Sequence, residues 1–126
     1  MIQRSVSRLA SLGHAARGLQ VLLRQPNARI HALASCAVVA LGFWLKISAS
    51  EWLALVLAMG LVMGSEALNT ALELAVDLAQ PDWHALARDA KDVAAAGVLL
   101  CSLAAAVVGL VVFGPRVWAL GLAGLG

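Results

Sequence analysis

Charge is scarce in this sequence: Asp, Glu, Lys and Arg together make up 13% of 126 residues, too few to coat a soluble domain of that size. Tyrosine is absent and phenylalanine occurs twice. No lysine-rich tract and no basic stretch interleaved with aromatics is present, so the net charge of +2 does not argue for nucleic acid as a partner. The two cysteines, Cys36 and Cys101, each lie inside an apolar run, which excludes a disulfide framework and a thiolate metal site. No G-x-x-x-x-G-K-[ST] loop occurs, and Gly121, Gly124 and Gly126 follow no strand, so ordinary nucleotide-binding folds are excluded. A secretory signal is not expected in the first 25 residues, where scattered arginines interrupt any apolar core.

What is abundant is apolar: 62% of the residues, a share that a small soluble fold cannot bury. The expected solvent is lipid, and the expected fold is an all-α membrane protein forming one domain over residues 1–126. Three stretches meet the length needed to cross the hydrocarbon, at 30–47, 52–79 and 93–113. The first two are joined by Ser48 to Glu51, short enough to force an antiparallel helical hairpin. The second connector, Gln80 to Asp92, is longer and polar, and Pro81 and Asp82 end the helix before it.

Residues 1–25 read as an amphipathic surface helix preceding the spans. At 100° per residue Leu9, Leu12, Ala16, Leu19 and Leu23 share a narrow arc flanked by Arg4, Arg8, Arg17 and Arg24, and Pro26 breaks the helix. Seven of the nine basic residues (Arg4, Arg8, Arg17, Arg24, Arg29, Arg88 and Lys91) precede the first span or lie in the second connector. Lys46 and Arg116 fall on the other side. Positive flanks stay inside, so the N-terminus is expected in the cytoplasm and the C-terminus outside. The tail at 114–126 carries no functional signal.

Chemistry concentrates in the second half of the middle span. With Glu66 at zero, Asn69, Glu73 and Asp77 project at about −60°, −20° and +20°, one stripe on a helix that is otherwise apolar or small. Each ionisable group at membrane depth costs roughly 2.5–3.5 kcal/mol on insertion scales, so such a stripe calls for a compensating cation. Oxygen donors of this kind suit magnesium rather than zinc. Counting about 1.5 Å per residue from Trp52, Glu66 lies roughly 20 Å into the membrane and Asp77 near the cytoplasmic boundary. Packing against neighbouring helices is the competing account of the same polar groups.

A second cluster, His84 to Asp92, lies at the same level. Lys91 is a point charge suited to a polyphosphate, and Asp92 is expected at the N-terminal end of a membrane helix, where freed N–H groups favour anions. His31 and His84 each lack a second histidine at zinc spacing, and interfacial hydrogen bonding is their default role.

The run Glu66-Ala-Leu-Asn69-Thr-Ala-Leu-Glu73-Leu-Ala-Val-Asp77, then His84, then Ala90-Lys91-Asp92-Val-Ala-Ala, closely resembles the signature of the prokaryotic diacylglycerol kinase and undecaprenol kinase family. The resemblance extends from about His14 to Phe113 and includes Arg17-Gly18-Leu19. Asn27-Ala28-Arg29-Ile30-His31 looks more like the undecaprenol kinase branch. It implies a homotrimer in the bacterial cytoplasmic membrane, with composite sites at the cytoplasmic face that use ATP and Mg2+ to phosphorylate the hydroxyl of a membrane lipid alcohol. It further implies Glu66 as general base, Glu73 as a magnesium ligand, and Asn69, Lys91 and Asp92 as nucleotide contacts, with Asp82, His84, His14 and Arg17 near ATP. Where the family usually carries a second metal-binding glutamate, this chain has Gln25, which brings an amide oxygen but no charge, so weaker metal binding or slower turnover is expected. Two other classes remain open: a small cation channel or transporter subunit lined by the acidic stripe, and a non-catalytic membrane scaffold of the same fold.

Overall fold

The computed structural model describes residues 8–124, with side chains from Ala10 onward. Residues 1–7 of the expected surface helix, including Arg4, the side chains of Arg8 and Leu9, and the last two residues of the tail lie outside the described part. Four helices follow one another: α1 (Arg8–Leu22), α2 (Pro26–Trp44), α3 (Ala49–Ala79) and α4 (Ala85–Ala123).

Local chemistry sets the helix ends. Pro26 does not break α1, which ends at Leu22; it opens α2, where a missing N–H and a fixed φ suit the first helical position. The Arg29 guanidinium donates to the carbonyls of Leu23 (2.8 Å) and Arg24 (3.3 Å), satisfying acceptors freed at the α1–α2 corner. Between α2 and α3 the chain passes through Lys46 at φ 49°, then reaches Ser48. Ser48 and Glu51 form a reciprocal capping box that starts α3. Gly42 permits this corner, because a Cβ there would stand 2.7 Å from the Trp52 ring.

Pro81 follows the end of α3, and His84 caps α4 by accepting the Leu86 N–H at its Nδ1 (3.2 Å). Helix α4 therefore begins two turns before Asp92, which corrects the expectation that Asp92 sits at a helix start: the freed N–H groups belong to the residues just after His84. The run Ala-Leu-Ala-Arg is a strong helix former and propagates the helix back to its cap. At the other end α4 continues through Pro115 to Ala123, so most of the expected tail is helical.

Helix α3 is the hub, with α4 packed along it, α2 packed on it, and α1 leaning on it near Leu22. Leu12, Leu19 and Leu23 of the expected α1 arc are exposed, and Leu22, off that arc, is the residue α1 buries. The apolar core is small, centred on Ile47, Leu55, Val112 and Phe113, where the α2–α3 corner packs against α4. Large apolar side chains such as Leu57, Leu61, Leu68, Leu100, Val107 and Leu110 face outward, the pattern of helices whose outer face meets lipid rather than water. Among the described residues α3 and α4 are long and apolar enough to cross a membrane. In α2, Asn27, Arg29 and His31 occupy the first two turns and dilute its apolar character.

Candidate active site

Helix periodicity carries Glu66 and Asn69 to the side of α3 that meets α4 and the start of α2. Both are buried, Glu66 to 3% exposure and Asn69 to 8%. Asn69 Nδ2 donates to Glu73 Oε1 at 3.1 Å, one turn along α3. Its other polar atom, Oδ1, is buried with no partner, and no described residue hydrogen-bonds the Glu66 carboxyl. Buried polar groups are ordinarily satisfied, so an unpartnered one calls for a reason, and a ligand or catalytic role is one such reason. An open cavity of about 310 Å3 lies in front of them, lined by His31 and Asn27 of α2 and by Ala95, Val98, Leu99 and Ser102 of α4.

A second, more polar cavity of about 390 Å3 opens where α3 ends and α4 begins. His84, Lys91 and Asp92 of the second cluster and Asp82, which the resemblance set near ATP, all line it, together with Asp77, Trp83 and Arg88. Lys91 Nζ pairs with Asp77 Oδ1 at 2.6 Å, across the two helices. The Asp77 carboxylate, and at longer range that of Glu73, push the Lys91 ammonium above the usual lysine value, so its charge persists throughout the neutral range. With Nδ1 of His84 accepting from the backbone, a neutral ring there carries its proton on Nε2. Arg88 is held at 2.8 Å by its neighbour Asp89.

The remaining expected residues are not gathered in. His14 and Arg17 lie within hydrogen-bonding distance of each other (3.2 Å) on an exposed face of α1, with no hydrogen bond or ion pair to α3 or α4. Gln25 is the N-cap of α2, and its side chain makes no capping bond. No cluster of three or more His, Cys, Asp or Glu side chains able to cage a metal exists among the described residues. The donors present still fit magnesium: the orphaned Asn69 Oδ1 beside the Glu73 carboxylate is a sparse oxygen set, and magnesium keeps waters and phosphate oxygens around one or two protein carboxylates.

Sequence reading missed Trp83, Asn27 and Ser102, and gave Asp77 no partner. A signal existed for Ser102: Lys91, Ala95, Val98 and Ser102 recur at helical spacing along α4, and all four line the two cavities. Trp83 stands between two residues already chosen.

The model of the prokaryotic diacylglycerol kinase family matches residues 13–113. The chain belongs to that family. Membership makes it a lipid kinase. Among curated relatives, it is 39% identical over 107 residues to the undecaprenol kinase of Bacillus subtilis, covering 84% of this chain and 87% of that one. It is 45% identical over 86 residues to the diacylglycerol kinase of Synechocystis, covering 68% of this chain and 49% of the relative. With the diacylglycerol kinase of Escherichia coli it shares 29% identity over 100 residues, 79% of this chain and 82% of the other. The matched region contains α2, α3, most of α1 and the part of α4 that lines both cavities.

Proposed function

We propose that this kinase uses ATP with Mg2+ to phosphorylate the hydroxyl of undecaprenol or diacylglycerol at the cytoplasmic face of the bacterial inner membrane. One observation carries the reading: a single face of α3 presents a buried, unpartnered carboxyl at Glu66 and, about 16 Å along the helix by rise per residue, the Asp77–Lys91 pair at the mouth of a polar cavity. A lipid alcohol needs the first, and a polyphosphate the second.

In this mechanism Glu66 accepts the proton of the acceptor hydroxyl as that oxygen attacks the γ-phosphorus. Lys91 neutralises phosphate oxygens, and Asn69 and Glu73, between the two cavities, hold magnesium, which supplies further charge neutralisation on the phosphates. The Trp83 indole offers a stacking face to the base, with Asp82, His84 and Asp92 around it. His14 and Arg17 approach the nucleotide from α1, and Gln25 occupies the position of the second metal ligand. The membrane arrangement consistent with this chemistry has three spans, with α2 as the third, a cytoplasmic N-terminus, and a homotrimer whose neighbouring subunits cover exposed apolar faces. The Glu51–Arg116 pair and the apolar core at the opposite end disfavour a conduction path.

The test is transfer of labelled phosphate from ATP to each lipid by the purified protein, in competition and with magnesium varied. Labelled phospholipid dependent on magnesium is expected. Absence of product with both lipids overturns the proposal.

A further inference from the structure

Glu66 can act as a base in successive turnovers only if its proton leaves, and at 3% exposure, with no hydrogen-bond partner among the described residues, its way out runs through the cavity it lines. We propose that His31 is the relay that carries the acceptor's proton from Glu66 to the end of the bundle at Asn27. This rests on the kinase reading above. Three groups on one cavity wall grade outward: Glu66 is buried, His31 is half-buried, and Asn27, in the first turn of α2, is exposed. The cavity, about 310 Å3, has room for several bridging waters at about 30 Å3 each.

Among the described residues His31 is the one titratable side chain besides Glu66 that lines this cavity. On α3 the neighbouring Glu73 is tied to Asn69. On α4 the nearest charges in sequence, Asp92 and Lys91, line the other cavity, Lys91 tied to Asp77, and the wall of this one is Ala95, Val98, Leu99 and Ser102. On α2 the Arg29 guanidinium is turned to the α1–α2 corner, and no described side chain of α1 lines the cavity. The Ser35 hydroxyl donates to the His31 backbone carbonyl at 2.8 Å, which leaves the ring unrestrained, and no described residue engages either ring nitrogen. An imidazole can accept a proton at one nitrogen and release one from the other.

The step balances. The acceptor O–H bond breaks, its proton goes to a Glu66 oxygen, and the hydroxyl oxygen bonds the γ-phosphorus as the bond to the bridging oxygen breaks, its electron pair leaving with the nucleoside diphosphate. The Glu66 proton then passes through water to one nitrogen of His31 while the other nitrogen releases a proton to solvent near Asn27. Glu66 is then a carboxylate again, and His31, left as its other neutral tautomer, is reset when its two nitrogens exchange protons with water.

The experiment compares full-length wild type, His31→Gln and His31→Glu in lipid bicelles with ATP, magnesium and lipid acceptor. His31→Gln is expected to lower kcat by about tenfold or more, leave both KM values within about twofold, lose one limb of the pH profile and regain rate when imidazole is added. His31→Glu, which keeps a titratable group of comparable reach, is expected to retain most of kcat with the limb displaced, and it carries the test if the glutamine variant fails to fold. Wild-type kcat and pH profile in His31→Gln overturn the relay. So does a loss of rate with raised KM that neither imidazole nor the Glu variant restores, since His31 then only shapes the site. If wild type itself forms no phospholipid, the kinase reading fails first and the relay falls with it.

Discussion

Glu51 and Glu66 lie on the same helix and live in opposite circumstances. Glu51, just before the 52–79 stretch, accepts from the Arg116 guanidinium at 2.6 and 2.8 Å and from the Ser48 backbone N–H at 2.7 Å. Its carboxyl is consequently held at about 2, against 4.5 for an ordinary glutamate, first by Arg116 and then by Ser48. Glu66 is more deeply buried and has none of these partners. A carboxylate that is fully answered by its own chain ties elements together. One that is buried and unanswered is held ready for something the chain does not contain.

The contrast breaks most sharply at Glu66. Glu66→Gln is expected to cut phosphoryl transfer by about 10²–10⁴-fold while leaving the melting temperature unchanged or raised, because a neutral isostere removes the cost of a buried charge. Wild-type turnover in that variant would refute the base assignment. Next in size, Lys91→Ala is expected to lower kcat/KM for ATP by about 10²-fold, with the KM for lipid little affected, as steady-state kinetics with each substrate varied will tell.

Smaller effects sharpen the comparison. Gln25→Glu adds a charge at the position where a second metal ligand is expected, and should lower the half-saturating magnesium concentration by about tenfold. A magnesium titration unchanged by the substitution would place Gln25 outside the metal site. Smallest of all, Glu51→Gln is expected to leave transfer within about twofold and to lower the melting temperature slightly, since partly exposed pairs contribute little. The sign with pH is defined: the folded-state pKa is depressed, so the contribution of the Glu51–Arg116 pair is complete above 4.5 and is lost as pH falls toward 2. Acid melting curves of wild type should converge on those of Glu51→Gln over that interval.

Much of this was legible along the chain. The α3 stripe followed from residue spacing alone, because a helix converts intervals of three and four into one face. The sequence also grouped His84, Lys91 and Asp92, since residues within eight positions of one another stay close in space, and the family resemblance added Asp82. It misplaced the start of α4, because the signal taken for a helix start, an acidic residue before an apolar run, stood two turns inside a helix already begun by the His84 cap. Family resemblance puts His14 and Arg17 beside the nucleotide; within one chain they lie within hydrogen-bonding distance of each other on α1 and line neither of the two polar cavities.

By itself the sequence determined that the protein is helical, apolar, and armed with oxygen donors on one face of one helix, because composition and local periodicity act through neighbours a few residues apart. Only the tertiary structure decided that Lys91 is answered by Asp77, that Arg116 closes on Glu51, and that Glu66, Asn69 and Ser102 share a cavity with His31. Those pairings join different helices, and which faces meet depends on the bulk of side chains such as Gly42 and Trp52 at the crossings rather than on any spacing within a single element.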